Sequence, residues 1–239
     1  MLANKRVVFT AALMSVLLVG VLPTTPAWAA KDLEGHGGIG GSLGWIGFTS
    51  GDRLSRGNVR PIFRFLTFYN LTNTVALEGN VGFGWNAYPN NGTETVTLPS
   101  GADTTVGAPS VAVVSPWTIG AQVRRQLGES SLFPHAGVGV GAYILDVREN
   151  YRKTVDDAVT GDKMRWVSPG FYMKFGGEIV WDTGAALTID FLYHSIFSED
   201  DRFANGWATN TSFLEMRVGG IYYFNLGGGS GAVPEADGD

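Results

Sequence analysis

The sequence lacks cysteine, has few charged residues, and carries no long hydrophobic run after its first 29 residues. The absence of cysteine excludes disulfides and thiolate metal sites, so stability must come from a core, a barrel or a membrane. Charged residues are 16% of the chain, against about 25% in typical soluble domains. Without an apolar stretch of about 18 residues, helices cannot be what crosses a membrane.

The charge balance is acidic. The chain holds 22 acidic and 17 basic residues, a formal net charge of −5. Lys5 and Arg6 belong to an N-terminal segment that we expect to be removed, which leaves 15 basic against 22 acidic residues. A nucleic-acid partner usually requires a basic face, so the composition argues against one.

The N-terminus has the features of an export signal in their usual order. Two basic residues precede the apolar run from Val7 to Leu22, and Ala27-Trp28-Ala29 is a small-x-small cleavage site. This order predicts a cleaved signal peptide over residues 1–29; the alternative is an uncleaved N-terminal anchor. The remaining chain of about 210 residues is enough for one domain.

Glycine and aromatic residues are abundant. Glycine accounts for 34 residues and aromatics for 12% of the chain. High glycine and aromatic content with little charge suits strands that face lipid on one side and a tight interior on the other.

Apolar and polar residues alternate with a period of two over long segments, which predicts β-strands. From Val75 to Asn86, one face carries apolar residues ending in Phe83 and Trp85, while the other is small or polar. Seven further segments follow the same pattern: 39–48, 59–69, 113–126, 132–147, 165–181, 185–197 and 213–224. We therefore expect an all-β chain of about eight strands that closes into an antiparallel up-and-down transmembrane barrel.

The connections between these strands alternate in length. Tight polar turns lie at 70–73, 128–131 and 182–184, whereas 49–58, 87–112, 148–164 and 198–211 are long. Outer-membrane barrels have short periplasmic turns and long extracellular loops. An even strand count then places both termini on the periplasmic side.

The orientation of the sheet decides between a membrane barrel and a soluble, lipocalin-like barrel. Gly137, Gly139 and Gly141 share one face of a strand, which suits the crowded interior of an eight-stranded barrel. The same face, followed around the sheet, collects charges of both signs that could pair across the interior. We call these seven residues the lumen network: Arg64, Glu78, Arg124, Lys174, Asp190, Glu215 and Arg217.

The last predicted strand ends in a recognisable pattern. Arg217, Gly219, Tyr222 and Phe224 fill the four defined positions of the C-terminal assembly signal of bacterial outer-membrane barrels. With the strand pattern over residues 37–224, the chain resembles the small eight-stranded outer-membrane proteins near the OmpA transmembrane domain, OmpX and OmpW. The resemblance implies outer-membrane localisation, a monomer, and contacts with outer-membrane lipid and the barrel assembly machinery.

The segments outside the predicted barrel are short. Residues 30–36 are expected to form an N-terminal periplasmic segment. Residues 225–239 contain a glycine-rich linker and an acidic end, which predicts a disordered periplasmic tail. In the family the last aromatic residue is often the chain terminus, so this tail departs from the pattern.

Three functions from different classes fit the sequence. The first is a structural or surface-interaction barrel with a lumen filled by side chains and with long extracellular loops. The second is a narrow channel for small solutes, as the OmpW-like resemblance implies. The third, a lipid A-modifying enzyme, is disfavoured because His194 and Ser195 are adjacent and must point to opposite faces of a strand.

Aromatic residues near strand ends are candidates for the girdles at the two membrane interfaces. They are Trp45, Trp85, Trp117 and Tyr222. No motif indicates a catalytic residue, a metal site or a cofactor, and we expect none of the three.

Overall fold

A computed structural model describes residues 32–50, 54–56, 58–87, 93–97, 100–107, 111–128, 130–149, 153–157, 160–198 and 210–226. The predicted signal peptide and residues 227–239 of the predicted acidic tail lie outside the described residues. No helix within the described ranges is long and apolar enough to span a membrane.

Eight long antiparallel strands form a closed barrel. Each pairs with its neighbours in the chain, and the first strand pairs with the last, His36 lying opposite Asn225. The barrel strands are β1 (His36–Ser50), β2 (Arg60–Asn70), β3 (Val75–Ala87), β6 (Val111–Arg124), β7 (Leu132–Glu149), β9 (Arg165–Val180), β10 (Ala185–Ile196) and β11 (Thr211–Asn225). The architecture is the closed up-and-down barrel that the alternation predicts.

Four short elements lie in the described parts of the long loops. A 3₁₀ helix, Leu54–Arg56, follows β1, and β8 (Lys153–Thr154) pairs with the end of β7. A separate hairpin of β4 (Thr93–Thr97) and β5 (Asp103–Gly107) follows β3. These elements are too short to show periodicity, so the sequence predicts loops at these positions.

The outer wall of the barrel is apolar. Ile119, Val138 and Val140 are 69%, 53% and 59% exposed, and large apolar residues project outward from each of the eight barrel strands. A soluble monomer rarely exposes a contiguous apolar patch above a few hundred Å². The apolar face therefore points outward and the polar face inward, which excludes the lipocalin-like alternative.

Two apolar clusters close the interior at its ends. The cluster at the loop end contains Phe48, Leu145, Trp166 and Phe213 among others, and that at the short-turn end contains Leu66, Phe133 and Tyr223 among others. These residues come from the ends of the strands, where the register brings inward side chains together. Most of the polar side chains of the interior lie between the two clusters.

The segment before β1 contributes to the cluster at the short-turn end. Leu33 is 5% exposed within that cluster, and its backbone N–H donates to Asn73 Oδ1 at 2.7 Å. Gly35 adopts a φ of 72°, a left-handed conformation that glycine accepts without strain. This turn carries the chain from the mouth of the barrel into β1.

Candidate functional site

All seven residues of the lumen network point into the barrel. None is more than 4% exposed, and Arg124 and Arg217 are completely buried. Their strands run all around the barrel, so the charges meet across the interior rather than along one strand. Buried charges are stable only when they are paired and hydrogen-bonded.

Glycines let long side chains lie flat across neighbouring strands. The register aligns Tyr172 of β9 with Gly139 of β7, Gly120 of β6 and Glu78 of β3. A Cβ atom at Gly139 or Gly120 would collide with the Tyr172 side chain. The two glycines therefore open the path along which the Tyr172 hydroxyl reaches Glu78.

Glu78 accepts hydrogen bonds from three side chains. Tyr172 and Asn80 donate to Oε1, the second at 3.3 Å, and Lys174 Nζ forms an ion pair with Oε2. The Lys174 ammonium also lies 5.5 Å from the centre of the Phe68 ring. This cation–π contact joins the polar centre to the apolar cluster at the short-turn end.

Arg64 and Glu215 form a bidentate pair. Arg64 Nε and Nη2 lie 2.7 and 2.5 Å from the two carboxylate oxygens of Glu215. His194 lies beside the pair, with Nε2 3.3 Å from Glu215 Oε2 and Nδ1 2.9 Å from the Tyr143 hydroxyl. The planar guanidinium matches the carboxylate geometry, which makes this pair rigid.

Asp190 connects two strands on either side of its own. Arg217 Nε donates to its Oδ2 at 2.8 Å, and His135 Nε2 lies 2.5 Å from its Oδ1. His135 reaches across β9 at Gly176, where a Cβ atom would lie 2.5 Å from Asp190 Oδ1. Glycine again provides the room for a pair between non-adjacent strands.

Arg124 pairs with Glu178 near the short-turn end. Arg124 Nη1 donates to Glu178 Oε1 at 2.9 Å, and Nη2 donates to Asn70 Oδ1 at 2.7 Å. The Tyr223 hydroxyl donates to the other Glu178 oxygen, also at 2.9 Å. When Glu178 is added to the lumen network, its four cations and four carboxylates form four ion pairs in the described interior.

The alternation places Glu178, His135 and His194 on the inward faces of their strands, but it does not assign them to the lumen network. Their partners depend on the stagger between strands, which the alternation within one strand does not give.

The four residues of the predicted assembly signal divide between the two faces of β11. Arg217 is buried in the lumen, and Gly219 lies opposite the inward Ser42. Tyr222 is 54% exposed on the outer wall, and Phe224, two residues on, shares that face. The pattern therefore presents two aromatic rings to the membrane at the end of the last strand.

The predicted girdle residues do not share one level. Trp45 and Trp85 lie in the loop-side halves of β1 and β3, and Tyr222 lies near the short-turn end of β11. Trp117 is 53% exposed but lies opposite Val81, near the middle of both strands. Trp117 is thus outward-facing without being at either edge of the apolar wall.

His194 and Ser195 do not meet in the described interior. His194 contacts Glu215 and Tyr143, while Ser195 lies on the other face of β10. Within the described ranges, no group of three or more histidine, cysteine or acidic residues could hold a metal ion.

The comparisons with known proteins identify the fold. No family model and no curated protein matches the sequence. Neisserial surface protein A has 13% identity and a TM-score of 0.54, over 80% of this chain and 100% of that one. OprG of Pseudomonas aeruginosa has 13% identity and a TM-score of 0.48, over 80% and 97%. The attachment invasion locus protein of Yersinia pestis has 12% identity and a TM-score of 0.45, over 80% and 99%.

The similarity to neisserial surface protein A shows the fold alone. The medium around the barrel is indicated by its exposed apolar wall. Burying that wall requires hydrocarbon, and among sheets only a closed barrel satisfies every backbone group there. This chain is a small closed eight-stranded antiparallel β-barrel whose apolar wall faces the hydrocarbon of a membrane.

Proposed function

We propose that the barrel is closed to solutes and acts as a structural or surface-interaction protein through its long extracellular loops. The observation that carries this proposal is the burial of the lumen network, no member of which is more than 4% exposed. A water-filled path would expose these charges. An eight-stranded barrel has an interior just wide enough for side chains to fill.

The two apolar clusters support the same conclusion. The loop-end cluster lies on one side of the ion pairs, and the short-turn cluster surrounds the Arg124–Glu178 pair at the other end, so an ion moving through the lumen would have to pass both clusters. Each cluster draws its residues from several strands, and Leu33 adds a side chain from outside the barrel strands. Opening such a path would require many side chains to move together.

Planar-bilayer recording of the purified protein tests the proposal. We expect no steady single-channel current steps, and a porin reconstituted in the same way provides the positive control. Steady steps of uniform size would overturn the closed lumen and favour the narrow solute channel.

The non-catalytic part of the proposal has its own test. His194 lies buried between the Arg64–Glu215 ion pair and the rings of Tyr143 and Phe213. Tyr143 and Phe213 belong to the loop-end cluster, so a substrate that approaches from the loop side would have to displace that cluster. We expect mass spectra of lipid A to be identical in cells with and without the gene. Loss of one acyl chain in the cells that carry the gene would show that the barrel is an enzyme.

A further inference from the structure

A groove of about 710 Å³ crosses the outer wall of the barrel from β7 to β1. Two parallel rows of outward side chains form it, each row following the register across five strands. The first row is Ala136, Phe175, Phe191, Met216 and Trp45, and the second is Val138, Met173, Tyr193, Leu214 and Gly47. The small side chains of Ala136 and Gly47 stand at its two ends.

The groove is inclined through the membrane. Ala136 lies near the periplasmic end of β7, whereas Trp45 and Gly47 lie in the extracellular half of β1. Four spacings between adjacent strands make it about 19 Å long. One leaflet of the hydrocarbon core is about 15 Å thick, so the groove has the length of a single lipid tail.

Hydroxyl groups lie at the extracellular end of the groove. Thr49, which lines the groove and is exposed, sits where the register of β1 against β11 shifts. Its Oγ1 is 3.0 Å from Ser212 Oγ, which is 2.7 Å from Ser50 Oγ. The groove therefore has a long apolar stretch and one polar end, which match the tail and the polar linkage of an amphiphile.

We propose that this groove binds one acyl chain of an outer-leaflet lipid, with the tail toward Val138 and the carbonyl linkage beside Thr49. The groove is continuous with the lipid-facing wall, so a lipid enters it sideways without crossing water. Its volume lies in the range of about 300–1,000 Å³ that small-molecule sites occupy. A second copy of the barrel fits less well, because its convex wall cannot fill a narrow furrow.

The charged residues beneath the groove do not contradict an apolar occupant. Lys174 and Glu215 line it from the lumen side, and their side chains are ion-paired inside the barrel. Apart from the Tyr193 hydroxyl, the side chains that a ligand meets are apolar until it reaches Thr49.

Photolabelling in vesicles tests the proposal directly. The barrel is folded into dimyristoyl phosphatidylcholine containing phosphatidylcholine with a diazirine at the end of one acyl chain, and adducts are mapped by mass spectrometry. We expect adducts on Met173 and Val138 to exceed those on Phe63 and Ile119 of the opposite wall by about tenfold, which corresponds to ~1.4 kcal/mol of preferential binding. A diazirine beside the ester should shift the adducts toward Trp45. Equal labelling of both walls, or no shift between the two probes, would overturn the site.

Two variants separate a specific site from general lipid contact. Gly47→Leu places a large side chain in the groove, because the nearest atom to an added Cβ is the movable Val59 side chain at 3.2 Å. We expect it to reduce groove labelling to the level of the opposite wall. Ala142→Leu, at an outward position outside the groove, is the matched control and should leave the enrichment unchanged.

Folding of each variant is checked by heat-modifiable gel mobility. If Gly47→Leu does not fold, Thr49→Val removes the hydroxyl with little change in shape, and we expect it to abolish the difference between the two probes. Retained enrichment in a folded Gly47→Leu protein contradicts the proposal. So do cross-linked dimers joined through the groove, since they would make a second copy its occupant.

Discussion

At the scale of single residues, the Ser115 side chain replaces a backbone hydrogen bond that is missing on the lipid-facing wall. Pro116 lies in the middle of β6 and has no N–H to donate to β3. The Ser115 hydroxyl donates instead to the Gly82 carbonyl at 2.7 Å and accepts from the Trp117 indole at 3.1 Å. This explains how Trp117 can lie at mid-height, because its N–H finds a partner without reaching the membrane interface.

We expect Ser115→Ala to destabilise the folded barrel by about 1–3 kcal/mol, the cost of a polar group left without a partner in an apolar medium. Both the Gly82 carbonyl and the Trp117 indole lose their partner in this variant. Ser115→Thr keeps the hydroxyl and should stay within about 0.5 kcal/mol of wild type. Urea unfolding in detergent micelles measures both, and equal stability of the two variants would contradict this role.

At the scale of strands, the alternation predicted most of what the structure contains. The bounds of all eight barrel strands lie within three residues of those expected. The inward glycines were recognised as a stripe, but not as the path of particular side chains such as Tyr172 over Gly139. Period two determines which face a residue occupies, whereas its partner depends on the stagger between strands.

An arginine placed on the outer wall should cost more folding free energy near the middle of the membrane than at its edge. Val138 and Val167 both point outward, 53% and 63% exposed, but Val138 lies in the body of β7 and Val167 is the third residue of β9, at the long-loop end of the barrel. We expect Val138→Arg to cost about 2–4 kcal/mol and Val167→Arg about 0–1 kcal/mol. The fraction folded after dilution into lipid vesicles, read by gel mobility, measures the difference. Normal insertion of Val138→Arg would reverse the assignment of the faces.

At the scale of the whole molecule, the buried ion pairs connect most of the ring. Six of the eight barrel strands contribute the four cations and four carboxylates of these pairs. No local sequence feature specifies this pairing, because three of the four pairs join strands that are not adjacent, and the Arg64–Glu215 pair crosses the β1–β11 seam that closes the ring. The folded barrel is therefore the smallest unit in which these charges are stable.

The Arg64–Glu215 pair provides a test of that dependence. Arg64→Met leaves the Glu215 carboxylate buried without its guanidinium, and we expect a loss of about 3–5 kcal/mol. Arg64→Met combined with Glu215→Leu removes both charges and should recover most of this loss, since buried pairs often contribute little compared with apolar residues of similar volume. Unfolding of the two single variants and the double variant completes a double-mutant cycle. If the losses simply add, the two side chains act independently, and the closed, ion-paired interior is not what keeps these charges in the barrel.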